Sequence, residues 1–518
     1  MYTWFIIIVS VCFAALMFRF RRGDGKKLPP GPSLFSSGSY LVLFTSNFVM
    51  QGIVPVLRDL KSKYGPVVTL YFSSRPLIFI GSQDLAHEIL IKNGSSVADR
   101  PGSLIKRNIS TTRYGPTWRA LRGNLATEIL HPSRVKRYSG VRNWALQILI
   151  GRLQQQQDAA GIKVVDHFEH AVFSMLAVMC FGKKLDEHLV NEIISKVREV
   201  LFAFHPGNLS VNLLLTFPRL GKILLRSKWK KLLQIQEDQE RLLLPLIISR
   251  IEATKSESRG SLTLTYVDTL VNLQLPEEEK NNRNGGKLTE VEMVSMCSEF
   301  LNGGTDTTYI ALQWIMANLV KYPHIQRKLY DEIISVVGPP PPAPPPGVEL
   351  ESFIREEDLQ NMSYLKAVVL EGLRRHSPAP FLLPHRAQEE VHLQGFTIPR
   401  RATVNFTVAD MGLDPKVWED PMEFKPERFL QVKNGVFDIT GRKGIKMMPF
   451  GAGKRMCPAY TLGLLHLEYF VANLIWYFHW TPPDGHHDVD LTEKAEFTIV
   501  MMNPLQAKIS SRTDKITT

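Results

Sequence analysis

The stretch Phe450-Gly451-Ala452-Gly453-Lys454-Arg455-Met456-Cys457-Pro458 constrains this chain more than any other part of its sequence. It is a tight glycine-containing loop with one cysteine at its end, followed by a helix-like run from Leu462 to Trp476. A thiolate at a helix N-terminus, close to a cation such as Arg455, has a depressed pKa and can serve as a metal ligand. The commoner fate of a lone cysteine is that of a small buried apolar residue, so the loop needs support from elsewhere. The four cysteines (Cys12, Cys180, Cys297 and Cys457) form no paired spacing. That excludes a CxxC zinc site and fits a reducing compartment.

Two further motifs supply the support. Tyr364 to Arg375 reads as a helix with Glu371 and Arg374 three apart on one face. On a surface such a pair contributes well under ~1 kcal/mol. Here Val368, Val369, Leu370 and Leu373 surround it, so at least one member faces the interior, and a buried pair needs further partners. Phe424-Lys425-Pro426-Glu427-Arg428-Phe429 offers Arg428. The longest helical pattern, Lys287 to Tyr322, starts on the capping box Thr289/Glu292 and ends at Pro323. About 34 residues would span roughly 50 Å, enough to cross a domain. In its middle stands Asn302-Gly303-Gly304-Thr305-Asp306-Thr307-Thr308. Two glycines inside a helix cost about 1 kcal/mol each relative to alanine, so a compensating reason is expected. Thr307 can return its hydroxyl to a carbonyl one turn earlier and open a groove. Taken alone, the segment is equally a kinked helix with incidental polar groups.

In the order Glu-x-x-Arg, Pro-Glu-Arg-Phe, Phe-x-x-Gly-x-Arg-x-Cys, these motifs resemble the cytochrome P-450 superfamily over about residues 28–505. Tyr364 to Arg375 and His466 to Leu474 look most like its plant A-type microsomal branch. The resemblance implies a mainly α fold with a small β-sheet region, the cytochrome P-450 fold, preceded by an N-terminal transmembrane anchor helix. It implies that Cys457 is the axial thiolate ligand of haem iron, in a loop shaped by Phe450 and Gly453. Such a ligand pushes electron density onto iron and favours O–O cleavage. Glu371, Arg374 and Arg428 correspond to a structural triad that holds the cysteine loop. Trp118 and Arg122 match contacts to a haem propionate, and Arg455 and His385 match others; an arginine fork suits a carboxylate. Thr307 would position water and deliver protons at the dioxygen site, with Asp306 feeding protons inward. One departure is Ala459, where the family usually carries glycine. Substrate contacts carry over only by position: the loop Gly102 to Pro116, Phe202, Phe204, Leu301 with Gly304, Phe381 to Leu383, and Phe497 to Val500.

With 518 residues, 44% of them apolar, the chain can bury a large core. Length alone suggests three domains. Trp118 and Cys457 must converge on one cofactor, however, so 36–518 is expected as one haem-thiolate catalytic domain. Helical periodicity covers 54–63, 84–93, 116–131, 136–157, 166–180, 190–204, 228–253, 289–322, 323–337, 363–376 and 460–476. Short β-like runs lie at Val67 to Tyr71, Leu77 to Ile80, Val391 to Leu393 and Thr403 to Phe406.

Residues 1–20 read as a transmembrane signal anchor. Met1 to Phe18 is almost wholly apolar, near the lower limit for a span, and Arg19, Arg21, Arg22, Lys26 and Lys27 follow it. A cleaved signal peptide carries its charges before the apolar run. Positive-inside logic then places the bulk of the chain in the cytosol, on the endoplasmic reticulum membrane. Residues 21–35 form a basic, proline-rich hinge. The formal charge of +12 (62 minus 50) comes with no basic helix, zinc spacing or interleaved aromatics, so nucleic acid is not expected. Anionic lipid heads and an acidic electron donor suit it better. Pro339 to Pro346 reads as a polyproline II surface loop.

The expected protein is a membrane-anchored haem-thiolate monooxygenase. It would insert one atom of dioxygen into a lipophilic small molecule, using haem b and electrons from NADPH through NADPH-cytochrome reductase, with cytochrome b5 as a further partner. The rivals are a same-fold isomerase or dehydratase acting on peroxides, and a haem sensor without turnover. The intact Asp306-Thr307 pair favours the monooxygenase. Fatty acids, terpenoids, phenolics and open-chain tetrapyrroles all stay open as substrates.

Overall fold

The structure is a computed structural model that describes residues 27–32, 49–72, 75–104, 106–157, 160–203, 211, 214–215, 218–256, 263–276, 286–341, 352–431, 437–485 and 488–512. The expected anchor (1–20), most of the hinge, Phe204 and Pro342 to Pro346 lie outside the described residues. Among the described residues no helix is long and apolar enough to cross a membrane.

The long helical pattern forms one unbroken helix, α8 (Glu290–Lys321). Its capping box closes as expected: the Glu292 amide donates to Thr289 Oγ1 at 3.2 Å, and the Thr289 amide donates to Glu292 Oε2 at 3.0 Å. Pro323 stops it by opening the next helix, α9 (Pro323–Val337), without a loop between them. Around α8 pack α4 (Val165–Phe181), α6 (Arg226–Ser256), α10 (Ser363–Arg375) and α11 (Tyr460–Tyr477). α4 is apolar on nearly all sides, which suits a helix enclosed by others. A Cβ on Gly304 would sit 2.7 Å from Leu176 Cδ1, so glycine there lets α8 and α4 approach closely.

A four-stranded sheet runs in the order β1-β2-β7-β4, with β1 (Val67–Phe72), β2 (Arg75–Ile80), β4 (His385–Arg386) and β7 (Thr403–Phe406). β2 pairs parallel with β7 and the other neighbours are antiparallel. The end of the hinge docks on this region. The Thr69 amide donates to Pro30 O at 2.9 Å and the Thr397 amide to Lys27 O at 2.8 Å. Smaller sheets join β3 (Ile162–Lys163), β11 (Gln506–Ser511) and β8 (Phe478–Thr481), then β9 (Glu493–Ala495) with β10 (Ile499–Met501), and β5 (Val391–Leu393) with β6 (Phe396–Ile398).

Most expected helices appear within a few residues of their sequence bounds, including α1 (Val49–Tyr64) and α5 (Glu187–Ala203). The run at 116–131 is α-helical only over α2 (Pro116–Asn124) and continues as a wider π-helical turn, Leu125–Ile129. The run at 136–157 starts late, as α3 (Ser139–Gln154), after a separate short helix Pro132–Lys136. The helix α7 (Tyr266–Asn272) was not expected, although Thr265 and Asp268 form a capping box before it.

Candidate functional site

The cysteine loop closes through its own backbone, the Cys457 amide donating to Phe450 O at 2.8 Å. Gly453 adopts φ +72°, and any Cβ there would collide with the carbonyl oxygen of Leu90. Glycine is therefore required by both conformation and approach. The Phe450 ring lies edge-on to Tyr460 at 6.4 Å and covers Gly463 of α11. Cys457 is half-buried as a residue, and its thiol sits inside a densely packed shell. Burial pushes that thiol above its ordinary pKa, against the pull of the Ala459 amide and Arg122. At this thiol burial outweighs both the backbone donor and the guanidinium.

Four basic groups converge beside the loop. Arg455 donates from Nε to Ala98 O (2.8 Å), from Nη1 to Ile109 O (3.0 Å) and from Nη2 to Thr112 O (2.7 Å). Its guanidinium lies 4.5 Å from the centre of the Trp118 ring. Arg122 Nη2 donates to Met456 O at 2.6 Å, and its guanidinium lies 5.5 Å from the same ring. Arg100 donates from Nε to Ser110 O (2.9 Å) and from Nη1 to Leu383 O (2.8 Å) and Pro384 O (2.9 Å). Its Nη1 also stands 3.5 Å from Nδ1 of the buried His385. Burial, then Arg455, pushes Arg100 down to about 9. Burial likewise lowers Arg455 to about 10 and holds His385 well below its usual range. Trp118 is 5% exposed, and its buried Nε1 has no hydrogen-bond partner. The sequence motifs did not single out Arg100, because no spacing rule marks it.

Glu371 and Arg374 are fully buried and paired twice, Nε to Oε2 at 2.7 Å and Nη2 to Oε1 at 2.8 Å. Arg428 Nε reaches Glu371 Oε1 at 3.3 Å, and the Lys425 amide donates to the same oxygen at 2.7 Å. Arg374 also donates to the carbonyls of Gly412, Pro421 and Glu423. A buried pair this fully completed escapes the cost of an uncompensated charge. The segment it gathers carries Trp418 and Phe429, which pack in one cluster with Phe450 and Tyr460. The triad thus reaches the cysteine loop through aromatic packing.

On α8, Thr307 Oγ1 donates to Gly303 O at 2.8 Å, the back-bond expected from sequence, without interrupting the helix. A Cβ on Gly303 would meet nothing within 4 Å, so the open side of α8 is at Gly303 rather than at Gly304. Leu301, expected beside the substrate, is fully buried in the core. Asp306 turns elsewhere. Its Oδ1 accepts from Tyr309 Oη and its Oδ2 from Thr498 Oγ1, both at 3.1 Å, with Arg198 Nη2 3.9 Å away. Arg198 also bonds Glu169 and Tyr309 Oη. Burial raises Asp306 above its usual range and brings Glu169 up to about 7.

The sequence model of the cytochrome P-450 family matches residues 29–510. Cytochrome P-450 89A9 of Arabidopsis thaliana is 45% identical, with 98% of each chain covered. Cytochrome P-450 98A1 of Sorghum bicolor is 30% identical over 97% of this chain and 94% of its own. Costunolide synthase of Cichorium intybus is 28% identical over 94% of each. A zebrafish cytochrome P-450 solved with progesterone matches the fold with a TM-score of 0.71 at 21% identity, covering 88% of this chain and 99% of that one. With its cysteine loop, Glu-Arg-Arg cluster and long central helix in one fold, the chain belongs to the cytochrome P-450 family, in its plant branch, and is a haem-dependent monooxygenase of small molecules.

Proposed function

We propose that the chain is an endoplasmic-reticulum-anchored monooxygenase in which Cys457 is the axial haem ligand and NADPH supplies electrons through a separate reductase. The observation that carries the haem placement is the orphaned Trp118 Nε1 beside the guanidiniums of Arg122 and Arg455, with Arg122 bonded to Met456 O next to Cys457. A buried indole N–H without an acceptor, among guanidiniums whose pKa values fall through burial, suits a ligand bearing carboxylates. Haem fits that description through its propionates, and a cysteine thiolate is one of the ligands that hold haem iron. When bound, haem supplies activation of dioxygen and transfer of one oxygen atom.

The chain's own residues do the rest. Trp118 Nε1 is the donor free to bind a propionate, and Arg122, Arg455 and Arg100 set the positive field around it. His385, held neutral by its surroundings, keeps Arg100 company rather than adding charge. Glu371, Arg374 and Arg428 keep the cysteine loop in place. Thr307, on the open side of α8, orients water with its hydroxyl, and Asp306 holds a proton more readily than an exposed aspartate. An intact acid and alcohol here favour dioxygen use over peroxide rearrangement.

The lipophilic substrate class rests on the apolar content of Phe381 to Leu383 and Phe497 to Val500. It also agrees with relatives named as costunolide synthase and tabersonine/lochnericine 19-hydroxylase. The anchor at 1–20 rests on the apolar run before Arg19, and the reductase and cytochrome b5 on the basic surface. The test is the carbon monoxide difference spectrum of the reduced, membrane-expressed protein beside Cys457→Ser, followed by turnover with reductase and NADPH. A thiolate-type Soret band lost in the variant is expected. A histidine-like band would overturn the ligand assignment.

A further inference from the structure

A groove of about 660 Å³ lies between one face of α1, the end of α10, the start of β9 and the chain from Asp410 to Pro415. That volume is in the range of small-molecule sites. Its lining is apolar at Leu413, Pro415, Met422 and Leu491. Met422 is 61% exposed, and an exposed thioether adapts readily to an apolar ligand. Three cations and three carboxylates border this lining, and most of them are already committed. Arg58 Nε donates to Asp410 Oδ1 at 2.7 Å. Glu493 Oε1 stands 2.8 Å from Nδ1 of the buried His376 and 3.6 Å from Arg375 Nη1, while Arg375 Nε donates to Met422 O at 3.1 Å. Asp414 spends its carboxylate on its own turn, accepting from the Lys416 amide at 3.0 Å. Lys61 is the exception: its ammonium has no hydrogen-bond or ion-pair partner among the described residues. A Cβ added to Gly81 would stand 3.2 Å from Lys61 Cδ, so the stem of Lys61 is packed while its charged end stays at the groove. Arg58 lies three residues before Lys61, on the same face of α1, and keeps N–H donors beyond the one given to Asp410.

We propose that this groove binds a small amphipathic anion, a single apolar chain ending in a carboxylate. The chain lies on Leu413, Met422 and Leu491, and the carboxylate sits beside Lys61 and Arg58. The uncommitted polar capacity of the groove is cationic, so charge complementarity selects an anion over a neutral or cationic chain of the same length. None of the residues that line the groove is among those around Cys457, so this is a second site and not an extension of the haem centre.

The test uses the full-length, haem-loaded protein and decanoate well below its micelle concentration. Equilibrium dialysis counts all the decanoate bound, whereas the Soret shift counts only what sits beside haem. We expect dialysis to find more decanoate bound than the Soret shift reports. Lys61→Glu should weaken that extra binding about fivefold or more, because it turns an attraction into a repulsion. Lys61→Arg should retain it, and Met422→Asp should weaken it from the chain end. The carbon monoxide spectrum should match the parent's in all these variants. 1-Decanol should bind there more weakly than decanoate, and decyltrimethylammonium more weakly still. Equal totals from dialysis and the Soret shift would overturn the proposal. So would extra binding that Lys61→Glu leaves untouched, or that decanol fills equally well.

Discussion

The cysteine loop and the open side of α8 differ in how their surroundings are filled. Around the loop polar groups are tied to one another: Glu371 to Arg374, Arg428 and the Lys425 amide, and Arg455 to three carbonyls. On α8 a side is left open, because a Cβ on Gly303 would meet nothing within 4 Å. The satisfied network belongs to the scaffold, and the open side of α8 is where the scaffold leaves room.

The sharpest way to break this contrast is Cys457→Ser, for which we expect complete loss of the thiolate-type carbon monoxide band and of turnover. Next is Glu371→Ala, which strands two arginines and should cost about 3–5 kcal/mol, enough to abolish haem-loaded protein in expression trials. Arg428→Ala should cost less, since its contact to Glu371 is longer, at 3.3 Å. Gly453→Ala should cost about 1–3 kcal/mol through left-handed strain, and more through collision with Leu90, read as a lowered melting temperature. These changes strike the scaffold. Thr307→Ala strikes the open face, so it should keep stability and the carbon monoxide spectrum while product per NADPH falls severalfold. Equal coupling in that variant would remove Thr307 from its role.

The smallest expected effect concerns Glu468 on α11, which burial pushes up to about 7 against the opposing pull of Lys366. An ordinary glutamate titrates near 4.5, so between that pH and 7 the folded state holds a proton that the unfolded state has released. Its contribution to stability is therefore greatest in acid and is lost as pH rises to about 7. Glu468→Gln should flatten that slope and raise the melting temperature by a few degrees at most above neutrality, as thermal unfolding across pH would show. A slope identical to the parent's would mean that Glu468 is solvated.

Much of the scaffold was legible in the chain. The capping box at Thr289, the proline at 323 and the Thr307 back-bond are local devices, and local chemistry needs only neighbours in sequence. The pairing of Glu371 with Arg374 was legible for the same reason, one helical turn on one face. The small strands were harder. β3 has two residues and exists because Lys163 and Ile162 pair with Gln506 and Ala507, more than 300 positions away. Arg100 escaped because nothing near it in sequence marks it; its place is set by Ser110, Leu383 and Pro384. Phe202 and Leu383, expected at the substrate, stand 43% and 39% exposed.

By itself, the sequence determined the family, the thiol and the order of the helices, because motif identity and short-range periodicity are properties of adjacent residues. Only the tertiary structure decided how deeply Cys457 is enclosed, since burial comes from the whole shell around it and not from one nearby helix start. It likewise decided that Gly303 rather than Gly304 faces open space, because a glycine's neighbours in space depend on where α4 packs. Asp306 turns toward Tyr309 and Thr498 for the same reason: α8 presents its side chain to partners that no local rule could name.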